Sequence, residues 1–172
     1  MSSSQFIETA TGNRVSRSST LCGPQNIHIL GKTTIEDDVI IRGDFANVRV
    51  GRNCVLSNGV VVRPAHKRTG TGVSFLPSHI GDNVFIDESS LIESASIGSN
   101  VYIGKNCIIS KRCIIKDCCW IKDGTVLSED TVIPPFSLYS GCPGRFEKEL
   151  PMSSMEMIKT IVESKKSAVV FR

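Results

Sequence analysis

The sequence predicts an all-β solenoid, a parallel β-helix of hexapeptide repeats that carries an α-helix at its C-terminal end. Two regularities indicate this fold. An aliphatic or aromatic residue recurs every six positions in the run Ile97, Ile103, Ile109, Ile115, Ile121, Leu127, Ile133 and Tyr139. Two positions before each of them stands a small or β-branched residue, such as Cys107, Cys113 or Thr125. A period of six fits no amphipathic helix, because a 3.6-residue repeat drifts out of phase within two units.

Each hexapeptide reads inward, outward, inward, which is the alternation of a short strand. A corner follows, often with Gly, Asn or Asp, and three units close a triangular coil whose neighbour lies about 4.8 Å away. The same units occur upstream at 35–41, 50–62 and 80–92, and one residue is missing between Ile92 and Ile97. The two ends of such a prism are expected to leave open strand edges.

The repeat divides the chain into three parts. We expect an N-terminal cap at 1–28, a β-helix of roughly six coils at 29–144 and an exit segment with a helix at 145–172. Charges, glycines and Pro77 disturb the repeat at 65–79, which predicts a loop that leaves the prism.

The C-terminal segment has the pattern of an amphipathic helix. Ser153 and Glu156 have the spacing of a capping box. Four apolar side chains share one face of the helix: Met155, Ile158, Ile161 and Val162. Such a face is normally buried, so we expect this helix to pack along the prism.

Composition narrows the function classes. The 172 residues carry a formal charge of +3 without a long run of one sign, which gives no indication of nucleic-acid binding. Neither a signal peptide nor a membrane span is expected, and seven cysteines without a secretory leader favour reduced thiols. We therefore expect a cytoplasmic protein.

The cysteines and histidines are the first candidates for chemistry. Cys107, Cys113 and Cys119 all occupy the small inward position and face three different sides, so we expect core residues, with no metal and no cofactor. His66, in the loop, and His79, beside it, are the candidate bases of an acyltransferase, the alternative function, which would act as a homotrimer with CoA.

The outward positions indicate protein binding. A solvated face should be polar, whereas the residue before each inward aliphatic is apolar in most units. The expected stacking gives three columns: Phe85, Tyr102, Trp120 and Leu138; then Leu91, Ile108 and Val126; then Ile114 and Val132 with Ser96. The C-terminal helix can cover one column, and the others predict an interface with Trp and Tyr as anchors.

The repeat resembles the bacterial-transferase hexapeptide repeat, and this resemblance implies left-handed winding. The stretch 41–59 also resembles γ-class carbonic anhydrases, in which three histidines bind zinc. The matching positions here are Arg63, Glu88 and Glu93. A guanidinium is no zinc ligand, so we expect an ion pair of Arg63 with Glu88 or Glu93 instead.

The whole chain resembles the dynactin subunit 5 family. The specific stretches are IETATGNRVSR at 7–17, IRGDFANVRVGR at 41–52, KDCC at 116–119, VIPPF at 132–136 and SGCPG at 140–144. The resemblance implies a non-catalytic subunit at the pointed end of dynactin, associated with the cytoskeleton. The implied partners are dynactin subunit 6, the pointed-end actin-related protein and the large zinc-binding dynactin subunit. Through them the family helps link dynein and dynactin to adaptors and cargo.

Overall fold

The structure is a computed structural model that describes residues 5–170. It is a left-handed parallel β-helix of six coils with one α-helix, α1 (Ser154–Val170). Its strands, in chain order, are β1 (Phe6–Glu8), β2 (Arg14–Ser16), β3 (Thr20–Cys22), β4 (Ile27–Gly31), β5 (Thr34–Ile35), β6 (Ile40–Arg42), β7 (Val48–Arg52), β8 (Val55–Leu56), β9 (Val61–Val62), β10 (His66–Thr69), β11 (Gly72–Phe75), β12 (Ser78–Ile80), β13 (Phe85–Ile86), β14 (Leu91–Ile92), β15 (Ser96–Ile97), β16 (Tyr102–Ile103), β17 (Ile108–Ile109), β18 (Ile114–Ile115), β19 (Trp120–Ile121), β20 (Val126–Leu127), β21 (Val132–Ile133), β22 (Ser137–Ser140) and β23 (Arg145–Glu149).

Three sheets form the faces of the prism. Sheet A has the order β1-β2-β5-β8-β13-β16-β19-β22-β23, sheet B the order β3-β6-β9-β14-β17-β20 and sheet C the order β4-β7-β12-β15-β18-β21. Within these sheets the pairs β1–β2 and β22–β23 are antiparallel, and the other pairs are parallel. The strands β10 and β11 form a separate antiparallel hairpin at 66–75, inside the segment where a loop was expected.

The prism is filled by the inward residues of the hexapeptides. The aliphatic residues of the run from Ile97 to Ile133 are at most 1% exposed, and Cys107, Cys113 and Cys119 are fully buried among them. The small side chain at the first inward position of each unit leaves room for the branched side chains of the other two strands of the coil. The inward side of the fold is therefore the apolar core that the repeat predicts.

The backbone conformation at the corners explains which residue types stand between the strands. The residue just before the small inward residue has a positive φ in most coils, as in Asn83, Asn100, Asn106 and Asp130. Asn and Asp tolerate this left-handed conformation better than other side chains do. Phe136, at +55°, occupies the same position without that advantage.

A glycine after the inward aliphatic residue allows two neighbouring coils to approach each other closely. A Cβ built on Gly98 would overlap Oδ1 of Asp117 in the next coil. That carboxylate accepts a hydrogen bond of 2.8 Å from the N–H of Ser99. Gly104 and Asp123 repeat the arrangement, with the N–H of Lys105 as donor. The missing side chain makes room for a carboxylate that joins two corners.

The two ends of the prism depart from the parallel pattern of the repeat. β1 and β23 cover the two ends of sheet A as antiparallel strands, and the N–H of Gly144 binds the carbonyl of Val126 at the end of sheet B. In sheet C, Lys116 donates its N–H to the next coil at Ile133, whereas Pro134, the equivalent residue one coil later, has no N–H. The outer edges of sheet A therefore belong to β1 and β23, which run antiparallel to their neighbours, and among the described residues each of them pairs with one strand only.

The β-helix also begins earlier than the expected boundary at residue 28. β2 and β3 pair in parallel with β5 and β6, so a first coil already forms inside the segment 1–28. Its inward residues Val15 and Leu21 are six residues apart, but the next step, to Ile29, is eight residues long, so the regular run did not extend into this coil.

Candidate protein-binding surfaces

The aromatic column of sheet A lies partly under α1. Phe85, Tyr102 and Trp120 stack on successive coils, with ring centroids 5.1 Å and 4.2 Å apart. Ile158 and Val162 of α1, both fully buried, pack into the same cluster as Phe85. The C-terminal helix thus packs along the prism as expected, and sheet A is the face that it covers.

This packing changes the interface predicted for sheet A. Phe85 is 1% exposed beneath the helix and Leu138 is 6% exposed on β22, which β23 covers on one side, so neither has surface to offer a partner. The prediction that these two residues bind a partner is corrected accordingly. Tyr102 and Trp120 are half-buried and line a shallow pocket of about 360 Å³. Burial raises the pKa of Tyr102 to about 12, with a further contribution from the Asp87 charge.

Sheet B carries a longer apolar column than the sequence predicted. Leu91, Ile108 and Val126 stack in the expected register. Ile40 and Val61 continue the column on the two preceding coils. We call these five residues the sheet B ladder. Ile40 and Ile108 are 36% and 40% exposed, and α1 covers another face. Ile40 and Val61 precede inward aliphatic residues, so the rule that identified Ile108 would also have found them.

The outer face of sheet C changes character along the prism. Ile114 and Val132 stack with Ser96 as expected, and Val132 is 55% exposed. Towards the N-terminus the column continues with polar side chains, which are described below. The apolar part of this face is therefore short, and the sheet B ladder is the longest uncovered apolar column of the three.

The positions equivalent to zinc ligands do not converge on a metal site. Nη2 of Arg63 lies 3.2 Å from Oε1 of Glu93, which is the ion pair expected from the sequence. Glu88 is exposed at a different corner, between sheets A and B. An arginine and one carboxylate do not fit zinc, which prefers nitrogen and sulfur ligands. Within residues 5–170 no group of three or more His, Cys, Asp or Glu side chains is arranged to hold a metal.

The hairpin β10–β11 encloses a second pocket, of about 320 Å³, beside this ion pair. Phe75 of the hairpin stacks on Phe45 at 4.8 Å, and Nε2 of His66 lies 3.4 Å from Nζ of Lys111. Arg112 holds the hairpin against the prism, because its guanidinium donates a hydrogen bond of 2.9 Å to the carbonyl of His66. Among the described residues, neither His66 nor His79 has a hydrogen bond to a carboxylate that would orient it as a base.

The inward thiols have the properties of core residues. Burial raises the pKa of Cys54 to about 12 and that of Cys119 to about 11. The thiol of Cys119 lies 3.2 Å from the carbonyl of Pro134 in the next coil. Such thiols are neutral at physiological pH and are poor nucleophiles.

Across the described range 5–170, no helix has the length and apolar character needed to cross a membrane. A six-coil left-handed prism with a terminal helix defines a hexapeptide-repeat β-helix protein. Its fold is similar to that of a hexapeptide transferase family protein from Anaplasma phagocytophilum, with a TM-score of 0.69, 19% identity and 95% coverage of both chains. It is also similar to a point mutant of AntD, an N-acyltransferase from Bacillus cereus, with a TM-score of 0.69, 14% identity and coverage of 88% and 89%. At these identities the likeness concerns the fold alone.

Comparison of the sequence, in contrast to comparison of the fold, identifies one particular family. The profile of the family Dynactin subunit 5 matches residues 1–170. A protein of Dictyostelium discoideum named dynactin subunit 5 is 55% identical over 148 residues, which are 86% of this chain and 75% of that protein. The chain therefore belongs to the dynactin subunit 5 family, and it is a dynactin subunit.

Proposed function

We propose that this chain is a non-catalytic scaffold subunit of the dynactin pointed-end complex and that it binds partner subunits through its outer faces. The sheet B ladder carries the proposal. It is a straight apolar column on five consecutive coils, and the chain's own helix covers a different face.

The shape of the ladder favours a flat partner. Five coils at about 4.8 Å extend over roughly 19 Å, and the branched side chains stand side by side on a regular sheet. A face of this kind packs well on a second sheet about 10 Å away. A companion β-helix meets that requirement, and dynactin subunit 6 is the partner that we propose for this face.

The remaining roles follow from the same assignment. We propose contacts with the pointed-end actin-related protein and with the large zinc-binding dynactin subunit, through surfaces that include Tyr102, Trp120, Ile114 and Val132. In this function the protein is cytoplasmic and associated with the cytoskeleton, and it serves dynein adaptors and cargo indirectly.

The test is co-expression with dynactin subunit 6, followed by size-exclusion chromatography with light scattering. The variant Ile108→Asp places a charge in the middle of the ladder and should weaken the heterodimer by at least about tenfold, because burying an unpaired carboxylate is costly. Val73→Asp is the matched control, since Val73 is 55% exposed on the hairpin and is not part of the sheet B ladder. Thermal unfolding of both variants verifies their fold.

Two results would overturn the proposal. One is a heterodimer whose affinity is the same for the wild type and for Ile108→Asp. The other is a stable homotrimer of the chain alone that binds CoA, which would support the acyltransferase alternative.

A further inference from the structure

The N-terminal half of sheet C carries basic side chains on three consecutive coils. β4, β7 and β12 place His28 opposite Arg49, and Arg49 opposite His79. All three side chains point outward and are exposed. We call them the His-Arg-His ladder. The next residue of the column is Ser96, so the basic part of this face ends there.

No acidic side chain of the described residues forms an ion pair with Arg49. Asp82 lines the same shallow pocket as Arg49 and His79, but its Oδ1 accepts the N–H of Arg52 at 2.8 Å. The guanidinium of Arg49 is therefore left without a carboxylate partner among the described residues and contributes no ion pair to the stability of the isolated chain.

Further positive charge lies at the adjoining corner. Lys32 and Arg52 line a second pocket next to the first, and Leu30 belongs to both. The whole chain has 20 Lys and Arg and 17 Asp and Glu residues, so the gathering of Lys32, Arg49 and Arg52 on one edge is not a consequence of composition. The face is suited to a partner that supplies carboxylates.

The packing of α1 shows how a helix matches a face of this prism. Ile158 and Val162, one helical turn apart, pack in one cluster with Val55 and Phe85, which stand on neighbouring coils. One turn further, Lys166 reaches the side chain of Asn53, at the corner of the coil that also carries Val55, with its Nζ 2.5 Å from Oδ1. A helical turn of about 5.4 Å and a coil spacing of about 4.8 Å agree closely enough for one side chain per coil.

We propose that the His-Arg-His ladder docks an acidic amphipathic helix of a partner protein, one that presents a carboxylate on each turn of one face. Over three coils the mismatch between helix pitch and coil spacing is only about 1 Å, which side chains absorb. The ladder spans about 10 Å and has no Phe, Tyr or Trp side chain, and a footprint this short, without a longer groove that tracks a phosphate backbone, disfavours a nucleic acid. This surface is separate from the sheet B ladder, so the proposal does not depend on the subunit 6 interface.

The test measures binding of a fluorescent, alanine-rich helical peptide with one Glu per turn by anisotropy at low salt. The same peptide with Gln in place of Glu is the control ligand. The full chain should bind the Glu peptide more tightly, and added salt should weaken that binding. Arg49→Gln should lower the affinity at least about fivefold, and replacement of both histidines by Gln should lower it further. Arg145→Gln, on an exposed strand of sheet A, should leave it unchanged.

Three outcomes would overturn the proposal. Equal binding of the Glu and Gln peptides would show that the ladder does not recognise carboxylates. A large loss of thermal stability in Arg49→Gln shows that the ladder is structural. Binding to phosphatidylserine vesicles that depends on Arg49, without binding of the Glu peptide, assigns the face to a membrane surface. Heterodimer formation with subunit 6, measured on the same Arg49→Gln protein, reports separately on the proposed function.

Discussion

Replacement of Ile158 by alanine should loosen α1 from sheet A and leave the β-helix folded. Ile158 is fully buried and packs with Val162 on Val55 and Phe85. Removal of three carbon atoms from such a site costs about 2–4 kcal/mol. The core of the prism is a separate cluster, so the loss falls on the docking of the helix. A state with α1 detached should therefore become populated before the prism unfolds.

Trp120 is the direct reporter of this change, because it is the one tryptophan of the chain and packs at the edge of the helix cluster. It stacks on Tyr102 with ring centroids 4.2 Å apart and is half-buried. In Ile158→Ala its emission should shift to the red at a urea concentration where the wild type is unchanged, and the helical circular-dichroism signal should fall with it. Hydrogen exchange should show faster exchange in α1 and unchanged protection in the inward strands.

The matched control is Met157→Ala, at a neighbouring helical position that is 46% exposed. It should change the free energy of unfolding by no more than about 0.5 kcal/mol. The reasoning is refuted if Ile158→Ala also stays within this limit, or if the Trp120 shift coincides with unfolding of the whole prism in a single transition.

Three further predictions concern the corners, the hairpin and the thiols. Gly98→Ala should lower the free energy of unfolding by about 1–3 kcal/mol in urea titrations, because the new Cβ overlaps the carboxylate of Asp117. Arg112→Gln should release the hairpin and make it sensitive to protease. Arg112 also lowers the pKa of Asp130, so its stabilising effect is present above the usual Asp pKa of about 3.9 and is lost as the pH falls through the lower folded value. The difference in melting temperature between wild type and Arg112→Gln should therefore shrink in acid. Alkylation of the native protein should reach Cys142 first, because it is exposed whereas the inward thiols are buried, as mass spectrometry can show.

Each of these predictions has its own control. Gly70→Ala should be neutral, because a Cβ there would have no atom within 4 Å; an equal loss at Gly70 and Gly98 would contradict the contact argument. Arg68→Gln, at an exposed position of the hairpin, should leave protease sensitivity unchanged. If the gap between wild type and Arg112→Gln grew in acid, the Asp130 interaction would have the wrong sign. Fast alkylation of Cys54 in the native protein would contradict its burial.

The fold could be predicted from the sequence because its period is local. The six-residue period predicts the strands, the inward residues and the stacking of the outward columns. All three columns have the expected register. The early coil was missed because Val15 and Leu21, six residues apart, give one regular step only, and the next step, from Leu21 to Ile29, is eight residues long.

The face of the prism on which α1 packs could not be predicted from the sequence either. The stripe of Ile158 and Val162 suits any apolar column, and only the packed structure shows that it covers Phe85 rather than Ile108. The pairing of Arg63 with Glu93 has a simpler origin. Both residues follow β strands that are direct neighbours in sheet B, whereas Glu88 lies one corner away. The pairing of β9 with β14 therefore explains why Arg63 contacts Glu93 and not Glu88.

The antiparallel end strands of sheet A have a consequence for assembly. A solenoid with free ends can extend by stacking copies of itself, and its length is then undefined. β1, β23 and Pro134 make such growth unfavourable, so the prism is a spacer of fixed size, about 29 Å for six coils. A spacer of this kind sets the distance between whatever is bound at its two ends. Insertion or deletion of one complete coil would change that distance by about 4.8 Å without disturbing the faces.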